Sequence, residues 1–147
     1  MDAIDAKILR QLEREGRVAN LQLAERIGLS PSACLRRVQA LEAAGVIKGY
    51  RAILDRAQLG GDLTVFVMVG LSGQLQRDAR AFERAMAEAP EVLECHNVTG
   101  SVEYLLRVEV ANLAAYKHFH SDVLGTLSQV SSITSHVCLG SSKDLRA

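Results

Sequence analysis

The stretch Leu21-Gln22-Leu23-Ala24-Glu25-Arg26-Ile27-Gly28-Leu29-Ser30-Pro31-Ser32-Ala33-Cys34-Leu35-Arg36-Arg37-Val38 decides how the first third of the chain folds. Ser30-Pro31 is a strong helix start: Ser is a favoured N-cap, and Pro suits the first helical position, where an N–H is not needed. Gly28 lies at the sharp bend before it, where a left-handed backbone is inexpensive only for Gly. Ala24 is small enough for two helices to cross closely, and Leu23, Ile27 and Leu29 supply apolar contacts between them. Asn20 is expected to cap the earlier helix, Leu21 to Ile27. The later helix runs from Pro31 to about Ala44, with Cys34, Val38 and Leu41 on its inner stripe, Leu35 beside them and Gly45 as its stop. The N-terminal part of such a helix is free to enter a major groove. Its outward residues are Ser32, Ala33, Arg36 and Arg37, and Asn20, Gln22 and Ser30 complete the candidate DNA contacts.

One more helix precedes this pair. Ile4, Ile8 and Leu12 recur at helical spacing over residues 3–15, and Gly16 follows as a stop. Charge supports a polyanionic partner, although the 147-residue total conceals it: 17 basic and 17 acidic residues sum to zero. Residues 1–60 hold ten basic and seven acidic side chains, and residues 61–147 hold seven and ten. Such asymmetry between halves hints at a nucleic-acid module joined to something else. Between Glu25 and Glu42 there is no acid, so the positive field is read as local to Arg26, Arg36 and Arg37. The same residues also fit a small helical bundle with a solvated Arg pair, the commoner fate of helical charges.

Residues 46–61 are rich in β-formers up to Leu54, and Gly60-Gly61 marks the most flexible point. Beyond it the pattern alternates. Thr64 to Leu71 is a near-continuous apolar run, expected as a strand covered on both faces. Arg77 to Ala89 reads as a helix, with Phe82, Ala85, Met86 and Ala89 on one side and Pro90 as its stop. Glu91 to Val98 and Tyr104 to Val110 read as strands. Asn112 caps a helix carrying Leu113, Tyr116, Phe119 and Val123, and Ile133 to Leu139 is a last strand. The order is β-α-β-β-α-β, the ferredoxin-like pattern. The fold class is α+β: a helix-turn-helix domain over 1–49, a linker strand over 50–61 and a ferredoxin-like domain over 62–147.

Several other functions lack their residues. No Ser lies in G-x-S-x-G, and no G-x-x-x-x-G-K-S/T or G-x-G-x-x-G loop is present, so no catalytic residues and no cofactor are assigned. Cys34, Cys95 and Cys138 are far apart and form no C-x-x-C, which predicts free thiols in a reducing cytoplasm. His118 and His120 are two apart on a helix and do not share a face. His96 and His136 sit on different strands that could be neighbours, yet no metal site is assigned. The acidic N-terminus, Met1-Asp2-Ala3-Ile4-Asp5, is not a signal peptide, and no apolar run approaches the roughly 20 residues of a membrane span.

The chain resembles the Lrp/AsnC (feast/famine) transcriptional regulators. The resemblance is carried by Asp5-Ala6-Lys7-Ile8-Leu9, Gly16-Arg17, Leu23-Ala24, Gly28 through Val38, Leu41-Glu42 and Gly45-Val46-Ile47-Lys48-Gly49-Tyr50. It implies a winged or simple helix-turn-helix on double-stranded operator DNA and a linker strand pairing between subunits. It also implies a sensing domain that dimerises and often builds octamers, and an amino acid or related metabolite as effector. The family's effector loop usually reads G-D-x-D-Y/F, and the matching segment here is Thr99-Gly100-Ser101-Val102-Glu103-Tyr104. Gly100 permits a tight turn that presents N–H groups to a carboxylate. Glu103 keeps an acid for an ammonium, one methylene longer than the usual Asp, and Ser101 replaces the other acid. Ser135 falls where the family often has Thr near the pocket, and Ile133 replaces another polar residue. These departures point to a smaller or more apolar effector. Without the resemblance, residues 100–103 read as a plain hairpin that needs no ligand. Two other readings remain: an architectural DNA-packaging protein with no ligand response, and a small enzyme on a ferredoxin-like dimer.

Overall fold

Asp2 starts the first helix by accepting hydrogen bonds from the Ile4 and Asp5 N–H groups, each at 2.9 Å. The Asp5 carboxylate accepts in return from the Asp2 N–H at 3.0 Å, so the two ends of the cap satisfy each other. The computed structural model describes residues 1–73 and 75–144. In its first unit, α1 spans Ala3–Arg14, α2 Asn20–Ile27 and α3 Pro31–Ala43. Gly28 is left-handed at φ 80°, and its N–H donates to the Ala24 and Glu25 carbonyls at 2.9 and 3.2 Å. Ser30 caps α3 by accepting from the Ala33 N–H at 3.3 Å, with Pro31 at the first helical position. Ile8, Leu23, Ala24, Cys34 and Leu41 form the buried centre, ringed by Ile4, Leu12, Ile27, Leu29 and Val38.

Two details differ from the sequence reading. Asn20 does not cap α2; Ala19 holds that position without a side-chain bond, and the Asn20 amide donates to the Pro31 carbonyl at 2.9 Å. A partner eleven residues away competes successfully for the amide, because it joins the starts of α2 and α3. Leu35 is 46% exposed, since one step along a helix from Cys34 turns it about 100° from the core.

The chain divides between Ile53 and Leu54. Residues 48–56 form no strand here, because their β-formers meet no partner strand. Tyr50 turns back onto the first unit, and its hydroxyl donates to Glu42 at 2.9 Å. Gly60-Gly61, the flexible point of the sequence, closes a turn of the second unit, where the Gly61 N–H donates to the Arg56 carbonyl at 2.8 Å.

The second unit contains β1 Leu63–Leu71, α4 Gln76–Glu88, β2 Val92–Asn97, β3 Tyr104–Val110, α5 Leu113–His118 and β4 Val130–Val137. Its antiparallel sheet has the order β2-β3-β1-β4, the ferredoxin-like arrangement. Asn112 caps α5, which continues through a wide π-helical turn, Phe119–Val123. Val65, Val67, Val69, Tyr104, Leu106 and Val108 pack beneath Phe82, Met86, Phe119 and Leu124. The opposite face carries Phe66, Met68, Leu105, Arg107 and Glu109, and among the described residues of this unit no helix covers it. The apolar run of β1, expected to be covered on both sides, is therefore covered on one, and Phe66 stays 36% exposed. Among the described residues no helix is long and apolar enough to cross a membrane.

Gly28→Ala places a Cβ in open space but at positive φ, so its cost is backbone strain alone. We expect a loss of roughly 1–2 kcal/mol in denaturant melts. Gly140→Ala, also in open space and without positive φ, is expected to stay within about 0.5 kcal/mol of the parent.

Candidate nucleic-acid interface and effector site

The seven expected DNA contacts separate into those that shape the helix pair and those left free. Asn20 and Ser30 use their side chains on the Pro31 carbonyl and the Ala33 N–H. Ala33 is half-buried, while Gln22, Ser32 and Arg36 are exposed. Arg37 is committed elsewhere: its Nη1 donates to Asp2 Oδ2 at 2.9 Å and to Asp5 Oδ1 at 2.7 Å. This pin ties the capping box of α1 to the middle of α3. Hydrogen bonds donated to Asp5 and then Asp2 push the Arg37 guanidinium further up from its ordinary value. The Asp5 N–H, then Arg37, hold the Asp2 carboxyl below its ordinary 3.8. Arg26 is also paired, with Glu15 at 2.7 Å. Of the three arginines on which the sequence centred the positive field, only Arg36 has no carboxylate partner among the described residues. An acid-free stretch of sequence does not reveal acids supplied by another helix.

The six expected effector residues also separate. Thr99, Gly100 and Ser101 form the exposed tip between β2 and β3, with Gly100 at φ 123°. Glu103 lies at the base of the tip, where its Oε2 accepts from the Leu71 N–H at 2.7 Å, beside the irregularity that ends β1. Tyr104 is in the core, its ring 4.7 Å from that of Phe82 and its hydroxyl 2.7 Å from Glu83. Burial first, then Glu83, push that phenol upward, and Tyr104 stands in the core rather than in the loop. Ser135 stands opposite Val67 on the helix-covered face and hydrogen-bonds to the Tyr116 hydroxyl.

Two serines missed in the sequence lie closer to Glu103. A Cβ built on Gly70 would collide with Ser132 Oγ and lie 3.4 Å from Ser131 Oγ and 3.6 Å from Glu103 Oε2. Three polar side chains thus crowd around one glycine. Ser131 and Ser132 also line a cavity of about 280 Å³ with His120, Leu127, Val130 and Ile133. The polar run Ser131-Ser132-Ile133-Thr134-Ser135 in an otherwise apolar fold was the available signal.

The remaining candidates disperse. His96 and His136 lie on β2 and β4, the two opposite edges of the sheet, so they are not neighbours. His118 pairs with Asp122 at 2.6 Å and His96 with Glu94 at 3.2 Å. Among the described residues, no group of three His, Cys, Asp or Glu is arranged to hold a metal ion. Cys34 is buried, and burial pushes its thiol up, which disfavours the reactive thiolate.

Comparison with known proteins agrees with both halves. Residues 1–48 match a winged helix-turn-helix DNA-binding model, and residues 64–147 match an Lrp/AsnC ligand-binding domain model. The chain is 43% identical over 144 residues to the leucine-responsive regulatory protein of Rhizobium meliloti, covering 98% of this chain and 92% of that one. It is 42% identical over 141 residues to the Bkd operon transcriptional regulator of Pseudomonas aeruginosa, covering 96% and 92%. A transcriptional regulator of Neisseria meningitidis, solved as its L-Met complex, superposes with a TM-score of 0.94 at 35% identity, covering 98% and 93%.

The Arg37 pin makes a prediction of opposite sign to simple electrostatics. Neutralising two acids beside a DNA-binding helix should raise affinity if they act only through their field. Through the pin, Asp2→Asn with Asp5→Asn is expected to weaken duplex binding several-fold, because Asn still caps α1 but no longer holds Arg37. Arg37→Ala is expected to weaken binding without changing the salt slope; a slope reduced by about one would mean a direct phosphate contact. Because the Asp2 value is lowered on folding, its stabilising share is complete above about pH 4 and lost as pH falls through the folded value. The stability difference between wild type and Asp2→Asn is therefore expected to shrink in acid melts.

Proposed function

The chain belongs to the Lrp/AsnC family of transcriptional regulators, and from that premise we propose that it binds operator DNA and answers to a small amino acid or related metabolite. Gln22, Ser32 and Arg36 read or grip the duplex, while Asn20, Ser30, Ala33 and Arg37 set the angle at which α3 is offered. The effector lies at the mouth formed by Glu103, Ser131 and Ser132, with the Thr99-Gly100-Ser101 tip above it.

The crowding around Gly70 is the observation that carries this reading. One Glu103 oxygen accepts from the Leu71 N–H, and the other has no partner among the described residues. A zwitterion's ammonium can pair with that oxygen. Its carboxylate can take the Ser131 and Ser132 hydroxyls and the N–H groups at the Gly100 turn. The Leu127, Val130 and Ile133 walls suit a short apolar side chain. Ser101, neutral where the family usually has an acid, removes one partner for a second positive charge.

The uncovered sheet face supports a homo-oligomer in which a second copy covers Phe66 and Met68. A dimer sets two recognition helices about 34 Å, or a multiple of that, apart. Effector binding acts by biasing how copies associate, and so which operator spacing fits. Three unpaired cysteines are consistent with a cytoplasmic setting.

A thermal-shift panel of all amino acids and their keto acids tests this function. A ligand at 100 times its Kd is expected to stabilise by about 2.7 kcal/mol. Small or apolar amino acids are the expected hits, and Glu103→Gln should lose the shift while keeping the Leu71 hydrogen bond. A response to lysine-like ligands alone would overturn the effector class, and silence across the panel would favour the architectural role.

A further inference from the structure

Residues 1–53 contain nine basic and six acidic side chains. On the recognition helix Arg37 is held by Asp2 and Asp5, and Arg36 stands alone. Three further cations stand together on α1. Lys7, Arg10 and Arg14 recur at i, i+3 and i+7 and so share one face of that helix. Ile4, Ile8 and Leu12 hold the other side against the core. The three cations have no carboxylate partner among the described residues. With Gln11, Arg26 and Ile27 they line a cavity of about 220 Å³ between α1 and the end of α2. Glu15 fixes Arg26 at its rim, with a 2.7 Å contact.

We propose that this face is a second phosphate-binding surface, which grips the backbone of double-stranded DNA outside the segment met by α3. The argument is charge and spacing. Lys7, Arg10 and Arg14, three unpaired like charges beside one hollow, repel each other unless a further anion joins them. Lys7 and Arg14, seven residues apart, are separated by about 10 Å along the helix, a span of about three phosphates of one strand at roughly 3.4 Å of axis each. The hollow has room for a phosphate group, and Arg and Lys are the usual donors to one. A backbone grip of this kind carries no sequence information and adds affinity that falls steeply with salt. This goes beyond the operator reading, which rests on α2 and α3.

The test uses the full-length protein and a 40-base-pair duplex of random sequence, titrated by fluorescence anisotropy over a salt series. Lys7→Ala/Arg10→Ala/Arg14→Ala is expected to weaken binding at least ten-fold at low salt and to reduce the salt slope by about two to three. The charge-preserving Lys7→Arg/Arg10→Lys/Arg14→Lys variant should keep the parent slope, and a circular dichroism melt checks folding. Arg77→Ala/Arg80→Ala/Arg84→Ala, which removes three exposed cations from α4, should leave the slope unchanged. An unchanged slope in the α1 variant overturns the proposal. So does an unchanged slope with a smaller particle by light scattering, which would assign the face to an acidic surface of a second copy. Arg36→Ala tests the recognition helix separately: no effect there would sink the α3 reading and leave the α1 result standing.

Discussion

The side chain of Arg37 has five N–H donors, and the helical unit uses its Nη1 inside the protein. That commitment governs what the unit presents to solvent. Asp2 and Asp5 already cap α1, so one pair of carboxylates satisfies the helix start and also holds α3. Neither task can be changed alone: moving α1 moves its cap, and moving the cap releases Arg37. The two pairs are partly exposed, and an ion pair open to solvent contributes little stability. The importance of the pin is geometric. It joins residues 35 positions apart, the cap of α1 and the middle of α3.

The sheet has a comparable constraint. Two crossover helices serve four strands and lie on the same side, so among the described residues of this unit no helix covers the other face. On that face Arg107 bonds to Glu109 at 3.1 Å and to Asp144 at 2.8 Å, while Arg107 Nε is buried without a hydrogen-bond partner among the described residues. Burying such charges is costly unless their geometry is good and their remaining donors are met. Phe66 and Met68 beside them are the residues a strand would carry if both faces were to be dry. The proposed homo-oligomer rests on this combination.

Local signals in the sequence were sufficient for the elements. Ser30-Pro31, Gly28, Gly45, Asn112 and Pro90 each act within a few residues, and the strand alternation at Tyr104–Val110 reproduces the burial of the helix-facing side. The discrepancies lie where a distant partner decides. Asn20 bonds to Pro31 rather than its own helix, Arg37 bonds to residues near the N-terminus, and His96 and His136 are separated by the strand order. The proposed effector loop is legible only through family resemblance, which points to Ser135 and not to Ser131 and Ser132, the serines beside Glu103. Register along β4 explains this. Ser132 is opposite Gly70, where the missing side chain leaves room, whereas Ser135 is opposite Val67 and turns under the helices.

The same register links the proposed effector mouth to the proposed assembly. Glu103 holds the Leu71 N–H where the pairing of β1 with β4 shifts, and Ser132 faces Gly70 on the side of the sheet that no helix covers. A ligand drawing on Glu103 and Ser132 therefore bears on the ends of β1, β3 and β4 together, the strands that present the open face. It can shift association only by as much as it prefers one arrangement over another. A ten-fold preference corresponds to about 1.4 kcal/mol, the scale of one or two hydrogen bonds that are made in one assembly and strained in the other. Because Glu103 already serves the backbone, the ligand need not order a free side chain, and more of its binding energy remains to distinguish the assemblies.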